Sequence, residues 1–269
     1  MNVRSALAAA GTEDASRLLA HVLGCERAWL VAHDANELSE ADRKAFERNC
    51  ARRKTGEPLA YIVGSAGFYR REFVVDRNVL VPRPETEHLI DEALLLMRDC
   101  VAPRMLDLGT GSGAIACTLA AELRSASVDA VDVSPQALDV ARKNARRLNL
   151  DERIRFFLGD LLDPVRGCRY DCIVANLPYV PTGDIEPPPA AVGFEPLLAL
   201  DGGADGLTLY RRLLLDVAGA LAPAGWLLLE AAPPVMDALA VVVQTAFPNA
   251  VVRVGEDYGG RSRYLCTQP

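Results

Sequence analysis

Leu106-Asp-Leu-Gly-Thr-Gly-Ser-Gly113 closes a short apolar run and leads directly into a helical pattern. Glycines at 109, 111 and 113 let the backbone turn sharply and approach a ligand closely, and the first turn of the following helix leaves N–H donors free. Taken alone, Gly-x-Gly-x-Gly serves several nucleotide folds, or simply packs a helix on a strand. Two features narrow it. The chain has no Gly-x-x-x-x-Gly-Lys-[Ser/Thr] loop, which argues against a triphosphate ligand. Asp132 closes the next apolar run, 19 residues after Gly113, where a carboxylate can accept both hydrogen bonds of a ribose diol. NAD and S-adenosylmethionine both present that diol. Asp160 follows a third run at what would be the same sheet edge, and ligands of open α/β sheets sit at those carboxyl ends.

Outward from this loop, short apolar runs alternate with helices. The strand candidates are 105–108, 128–133, 154–158, 172–175, 226–230, 250–254 and 264–266; helices fit at 113–124, 135–148, 206–221 and 234–246. Ser134 and Pro135 suit the N-cap and first helical positions. This alternation predicts a parallel, doubly wound α/β sheet. The last two runs, joined through a Gly-rich link, predict a final antiparallel hairpin. Residues 180–206 carry no clear element, and a 27-residue gap in a compact domain is usually functional.

The fourth run ends in Asn176-Leu-Pro-Tyr179, which distinguishes the two cofactors. Resonance leaves an amide or exocyclic amino nitrogen a poor nucleophile, so a methylating enzyme must orient its N–H₂ group. The Asn176 carboxamide oxygen and the Leu177 carbonyl can accept those two N–H bonds together. Tyr179 can then pack on the flat acceptor group, with Pro178 between them. Positioning of this kind supplies up to roughly 7–11 kcal/mol, and it needs no strong base, consistent with the absence of a nearby His in sequence.

The first 75 or so residues read differently. Thr12 before two acids and an apolar-periodic run predicts a capped amphipathic helix. Ser39 caps a second, from Glu40 to Lys54, with Gly56 as its stop. Arg48, Arg52 and Arg53 on that helix form either a solvated charged face or a docking surface. Gly67-Phe-Tyr-Arg-Arg-Glu-Phe-Val-Val-Asp76 suits a β-hairpin, and Val81-Pro-Arg-Pro-Glu-Thr-Glu87 launches a helix through Met97.

The composition excludes other classes. Half the residues are hydrophobic and 24% charged, as in an ordinary globular chain. A net charge of −7 argues against stable nucleic-acid binding. Apolar runs such as 238–243 fall far short of a membrane span, and residues 1–14 are too weakly patterned for a signal peptide, so a soluble, cytoplasmic protein is expected. Seven cysteines without a Cys-x-x-Cys, and three dispersed histidines, predict buried thiols and no metal site.

The glycine loop, Asp132 and Asn176-Leu-Pro-Tyr179, in this order, resemble a class I S-adenosylmethionine-dependent methyltransferase of the amino-methylating type. Gly56-Glu-Pro-Leu-Ala-Tyr-Ile-Val-Gly64, Phe73 and Leu80-Val-Pro-Arg-Pro-Glu-Thr-Glu87 narrow the resemblance to the HemK/PrmC family. Phe194-Glu-Pro196, Ala199-Leu-Asp-Gly-Gly203 and Asp205-Gly-Leu207 agree with it. That family methylates the glutamine amide of the Gly-Gly-Gln motif in class 1 peptide chain release factors. The resemblance implies a helical substrate-recognition domain (1–66), a β-hairpin linker (67–83) and a Rossmann-like seven-stranded catalytic domain whose last strand is antiparallel (84–269). It further implies a release factor as partner and a chain acting as a monomer. Gly109, Thr110, Gly111, Ser112 and Gly113 would hold the methionine part of S-adenosylmethionine, Asp132 the ribose, and Asp160 with Leu161 the adenine. Asn176 and the Leu177 carbonyl would bind the glutamine amide, Pro178 and Tyr179 would complete the acceptor wall, and 180–206 would form the substrate loop.

Two departures bear on the acceptor. The family's usual Asn-Pro-Pro-Tyr is here Asn-Leu-Pro-Tyr, a spelling also typical of ribosomal RNA adenine dimethylases. The family's strand five tends to continue as Glu-x-Gly followed by a Gln, whereas here Glu230 is followed by Ala-Ala-Pro-Pro-Val-Met236, with neither the Gly nor the Gln. Besides release-factor methylation, the sequence thus leaves open a relative recruited to another amide, amine or carboxyl group, a nucleic-acid adenine methyltransferase, and a cofactor-binding module without chemistry.

Overall fold

A computed structural model of the chain describes residues 1–187 and 190–269. Pro188 and Pro189, within the expected substrate loop, lie outside the described residues. The chain divides into two compact units, one formed by 1–65 with 186–194 and the other by 66–185 with 195–269.

The first unit contains α1 (Val3–Ala9), α2 (Ala15–Leu23), α3 (Arg27–Ala32), α4 (Glu40–Lys54) and α5 (Leu59–Val63). Leu18, Leu19, Leu30, Phe46 and Ile62 form its apolar centre. Ser39 caps α4 as expected, its hydroxyl accepting the Asp42 N–H at 3.1 Å. Thr12 does not cap α2. The helix starts at Ala15, and the Thr12 hydroxyl instead accepts the Asp14 N–H at 3.4 Å, a local turn that competes with the helix. The two terminal arginines of α4 are engaged within the unit. Arg52 forms a bidentate pair with Glu57 (2.7 and 2.9 Å) and Arg53 pairs with Asp14 at 2.7 Å.

The hairpin of β1 (Ser65–Phe68) and β2 (Arg71–Val74) begins at the last residue of segment 1–65 and otherwise belongs to the second unit. Its two-residue turn places Tyr69 and Arg70 at φ +45° and +61°, the turn whose twist matches paired strands. There follow α6 (Thr86–Met97), β3 (Arg104–Leu108), α7 (Ala114–Glu122), β4 (Ser127–Asp132), α8 (Pro135–Arg147), β5 (Ile154–Leu158) and β6 (Tyr170–Ala175). The unit ends with α9 (Thr208–Ala220), β7 (Leu221–Glu230), α10 (Pro233–Ala246), β8 (Val252–Glu256) and β9 (Ser262–Thr267). The seven-stranded sheet runs β5-β4-β3-β6-β7-β9-β8, parallel except where β9 inserts antiparallel between β7 and β8.

Alternation along the strands sorts side chains onto two faces. Leu106, Leu108, Ile173, Leu227 and Leu229 face α9 and α10, whereas Met105, Val128, Cys172, Val174 and Leu228 face α6 and α7. Elements fall within a few residues of the sequence expectation. The main exception is β7, which begins at Leu221, five residues earlier than the apolar run, through an irregular stretch with Ala224 at φ +64°. Between β6 and α9 the described residues form single helical turns, Thr182–Asp184, Ala191–Phe194 and Leu197–Ala199, and one isolated parallel bridge, Val180 with Asp201.

Candidate active site

The carboxyl ends of β3, β4, β5 and β6 open onto a cavity of about 310 Å³. Its floor is the loop after β3, where Gly109, Gly111 and Gly113 all have positive φ (71°, 53°, 78°), a region that costs other residues dearly. The loop is tied down at both sides. The Gly109 and Thr110 N–H groups both donate to the Val131 carbonyl (2.9 and 3.0 Å). Underneath, fully buried Asp107 accepts from the Thr110 hydroxyl at 2.6 Å and the Ala116 N–H at 3.0 Å, while its other oxygen has no partner. Burial pushes its carboxyl up to about 7, against the lowering effect of those two donors.

Asp132 is held from both sides. Its oxygens accept the Gly111 N–H at 2.8 Å and the Ser134 N–H at 2.9 Å. Burial raises its pKa despite those bonds. Each oxygen keeps a lone pair, so the carboxylate is fixed in direction yet able to accept a diol. After β5, Leu161 sits at φ +47°, and Asp160 forms an ion pair with Arg212 of α9.

Of the residues expected from sequence, Gly109, Thr110, Gly111, Ser112, Asp132, Asp160, Leu161, Asn176, Leu177 and Pro178 line this one cavity. Gly113 and Tyr179 do not. Gly113 caps α7 and faces α8, where a Cβ would come within 3.0 Å of the Ala141 Cβ. Tyr179 packs into the α9 and α10 face, and burial pushes its hydroxyl up to about 12.

The structure adds residues the motif reading passed over. Phe68, Asn78, Val79, Leu80, Pro82, Arg83 and Thr86 contribute one wall. For Leu80, Pro82, Arg83 and Thr86 the signal was the Leu80–Glu87 stretch, recognisable by pattern but without a chemical role of its own. Glu195 explains its geometry. Its nearly inaccessible side chain accepts the Val81 N–H at 3.1 Å and pairs with Arg83. Asn144 of α8 does similar work, bonding the Val74 N–H (2.7 Å), the Val74 carbonyl (2.9 Å) and the Ser112 carbonyl (2.9 Å). Behind Asn176-Leu-Pro-Tyr179, residues 200–206 lie backbone to backbone. Val180 N–H donates to Leu200 and Gly202 N–H to Val180, at 3.0 and 2.9 Å. A Cβ on Gly206 would stand 2.2 Å from the Tyr179 carbonyl oxygen.

The cavity fits S-adenosylmethionine. A Cβ on Gly111 would meet nothing closer than 3.9 Å, so the floor there is open, and Ala114 and Ile115 present the first turn of α7. Among the described residues no cluster of metal-ligating side chains occurs, and no helix is long and apolar enough to cross a membrane.

Comparison with known proteins agrees with this geometry. Residues 2–64 match the PrmC N-terminal domain and residues 88–187 the methyltransferase small domain. The release factor glutamine methyltransferase of Moorella thermoacetica is 41% identical over 96% of this chain and 92% of its own. That of Bacillus subtilis is 38% identical over 97% and 93%. The chain belongs to the release factor glutamine methyltransferase family. Solved structures share the methyltransferase fold at low identity. The hMettl16 catalytic domain has a TM-score of 0.57 at 17% identity over 82% of this chain and 80% of its own. A methyltransferase from Pyrococcus furiosus has 0.52 at 16% over 75% and 90%. As in other members of this family of methyltransferases, S-adenosylmethionine is the cofactor.

Proposed function

We propose that this enzyme methylates the side-chain amide nitrogen of the glutamine in the Gly-Gly-Gln motif of class 1 peptide chain release factors. The observation that carries the reading is Asn176-Leu-Pro at the end of β6, on the wall of the cavity that also contains the glycine loop and Asp132. When bound, S-adenosylmethionine supplies an electrophilic methyl on a positively charged sulfur. Gly109 to Ser112 and the first turn of α7 hold its methionine end, Asp132 accepts its ribose hydroxyls, and Asp160 with Leu161 borders its base.

Asn176 Oδ1 and the Leu177 carbonyl accept the two N–H bonds of the glutamine amide, fixing the nitrogen face presented to the methyl. The amide is already nearly planar and neutral, so orientation and exclusion of water account for most of the acceleration. As the new N–C bond forms, the sulfur–methyl bond would break with its electron pair kept by the departing neutral thioether, and the nitrogen, made more acidic, sheds one proton through its bond to Asn176 or Leu177 toward solvent. Pro178 stiffens the turn that aims both acceptors. We take the helical unit as the part that recognises the release factor, in line with its match to the PrmC N-terminal domain. The enzyme is read as a cytoplasmic monomer with a protein substrate, without stable nucleic-acid or membrane attachment.

Leu177 favours a second reading, a different amide or amine acceptor, because its side chain would press within 3.2 Å of a Cβ at Gly109 and so shapes the cavity floor. Transfer of label from S-adenosylmethionine to purified class 1 release factor, beside its Gly-Gly-Ala variant, separates the two. Label on the wild-type factor alone supports the release-factor reading. Label on neither, with cofactor binding intact by calorimetry, overturns it.

A further inference from the structure

Glu230, the last residue of β7, has no part in the mechanism above, yet it is buried beside its centre. It is 3% exposed, and its Oε2 lacks a hydrogen-bond partner. An ionisable group costs several kcal/mol to bury, so its position calls for a reason. In the parallel pair of β6 and β7, Ala175 stands opposite Leu229, which brings the next residues, Asn176 and Glu230, to the same level. Thr86, the first residue of α6 and itself buried, closes the group. The Asn176 Nδ2 donates to the Thr86 hydroxyl at 3.3 Å, and both side chains stand close enough to the Glu230 carboxyl to favour its charged form. On the other side, the fully buried Tyr210 hydroxyl lies 3.2 Å from the Leu177 carbonyl and also contacts the Glu230 carbonyl.

The two ends of a carboxamide are nearly isosteric, so shape alone does not decide which faces the substrate; its hydrogen-bond partners do. An ionised carboxylate only accepts. A threonine hydroxyl whose proton is committed to that carboxylate offers Asn176 only a lone pair. Both therefore select the NH₂ end of Asn176, leaving Oδ1 for the cavity. We propose that Glu230, acting directly and through Thr86, is the positioning residue that turns Asn176 Oδ1 toward the acceptor amide, with Tyr210 setting the Leu177 carbonyl beside it. The proposal deepens the methyltransferase reading and rests on it.

Protonation has a definite consequence. Burial, with the nearby Glu85 carboxylate, pushes the Glu230 carboxyl up to about 7, opposed by the Thr86 and Asn176 bonds and by Arg263. Tyr179 and Tyr210, the other titratable groups facing it, have their hydroxyls pushed up and stay neutral. Protonated Glu230 gains a donor, and the selection of the NH₂ end is lost. Turnover should thus fall as pH drops through 7.

The test compares wild type with Glu230→Gln, Thr86→Val and Thr86→Ser. The first readout is the side-chain amide resonance pair of Asn176, assigned by its disappearance in Asn176→Ser. It should shift with a midpoint near pH 7 in wild type and not in Glu230→Gln. The second is turnover on release factor. Glu230→Gln and Thr86→Val should lose about 100-fold in kcat, the order expected from a misplaced reacting group. KM for the factor and cofactor affinity should stay within about threefold, and Thr86→Ser should retain activity. Asn176 resonances indifferent to pH, an unchanged kcat and pH profile in Glu230→Gln, or parallel losses of kcat and cofactor affinity would each overturn the proposal. If wild type fails to methylate release factor, the functional reading falls, and the Asn176 titration still decides whether Glu230 sets the amide.

Discussion

At the scale of single residues, the acceptor and cofactor sides of the cavity make separable demands. On the proposed reading, Asn176→Ala removes an acceptor of the substrate N–H but none of the contacts of the glycine loop. Methyl transfer should fall by roughly 100-fold or more, the size found when one preorganised hydrogen-bonding group is lost, while calorimetry shows cofactor affinity within a few-fold. Asp132→Ala should do the reverse and weaken cofactor binding by about 1–3 kcal/mol. It also releases the Gly111 and Ser134 N–H groups that the carboxylate now anchors. Asp132 and Asn176 were legible in sequence because each ends a strand, and strand ends meet at one sheet edge. Glu230 ends a strand too, but nothing in the chain alone reveals that β7 lies beside β6, or that Thr86 closes the same group.

Among elements, the glycines divide by what stands opposite them. Gly113→Ala puts a Cβ 3.0 Å from Ala141 at φ +78°, and should cost about 1–3 kcal/mol of stability in denaturant titration. Gly111→Ala meets open space at φ +53°, so its larger effect should be on cofactor affinity, through a methyl that intrudes on the cavity floor. Gly206→Ala is the severe case. Its Cβ would collide with the Tyr179 carbonyl, a backbone atom that cannot rotate away. A stability loss of about 3 kcal/mol is expected, together with lower turnover as the 200–206 loop moves off the Asn176-Leu-Pro-Tyr179 turn. The periodicity of helices and strands was readable to within a few residues from 104 onward, the start of β7 excepted, since apolar runs of the right length have few alternatives. Thr12 was misread as a cap because a hydroxyl before two acids is equally suited to a local turn.

For the molecule as a whole, two buried carboxyls give stability a pH dependence of known sign. Asp107 and Glu230 have folded pKa values near 7, above their ordinary values of 3.8 and 4.5. An acid whose pKa is raised on folding contributes fully below its unfolded value, and that contribution is lost as pH rises through the folded one. Replacing Glu230 with Gln removes its share of this dependence and leaves that of Asp107. The Tm of Glu230→Gln relative to wild type should therefore climb by several degrees between pH 5 and pH 8, at about 2–4 °C per kcal/mol for a chain of this size. A difference that stays flat across that range would mean that Glu230 titrates normally.

By itself the sequence determined the order of elements, the glycine loop after β3 and the Asn176-Leu-Pro-Tyr179 turn after β6, because these are local: a strand end, a glycine conformation, a helix cap and a hydrogen-bonding residue within a few positions of one another. The tertiary structure decided which residues share the cavity and which only support it. Gly113 and Tyr179 turned away from it, since one is needed for close packing of α7 on α8 and the other fills the α9 and α10 face. Asn144, Glu195 and Glu230 act on segments 70, 114 and 54 residues away, as counted to Val74, Val81 and Asn176. Contacts of that span arise from the sheet order and the packing of helices against it, and no local pattern encodes them.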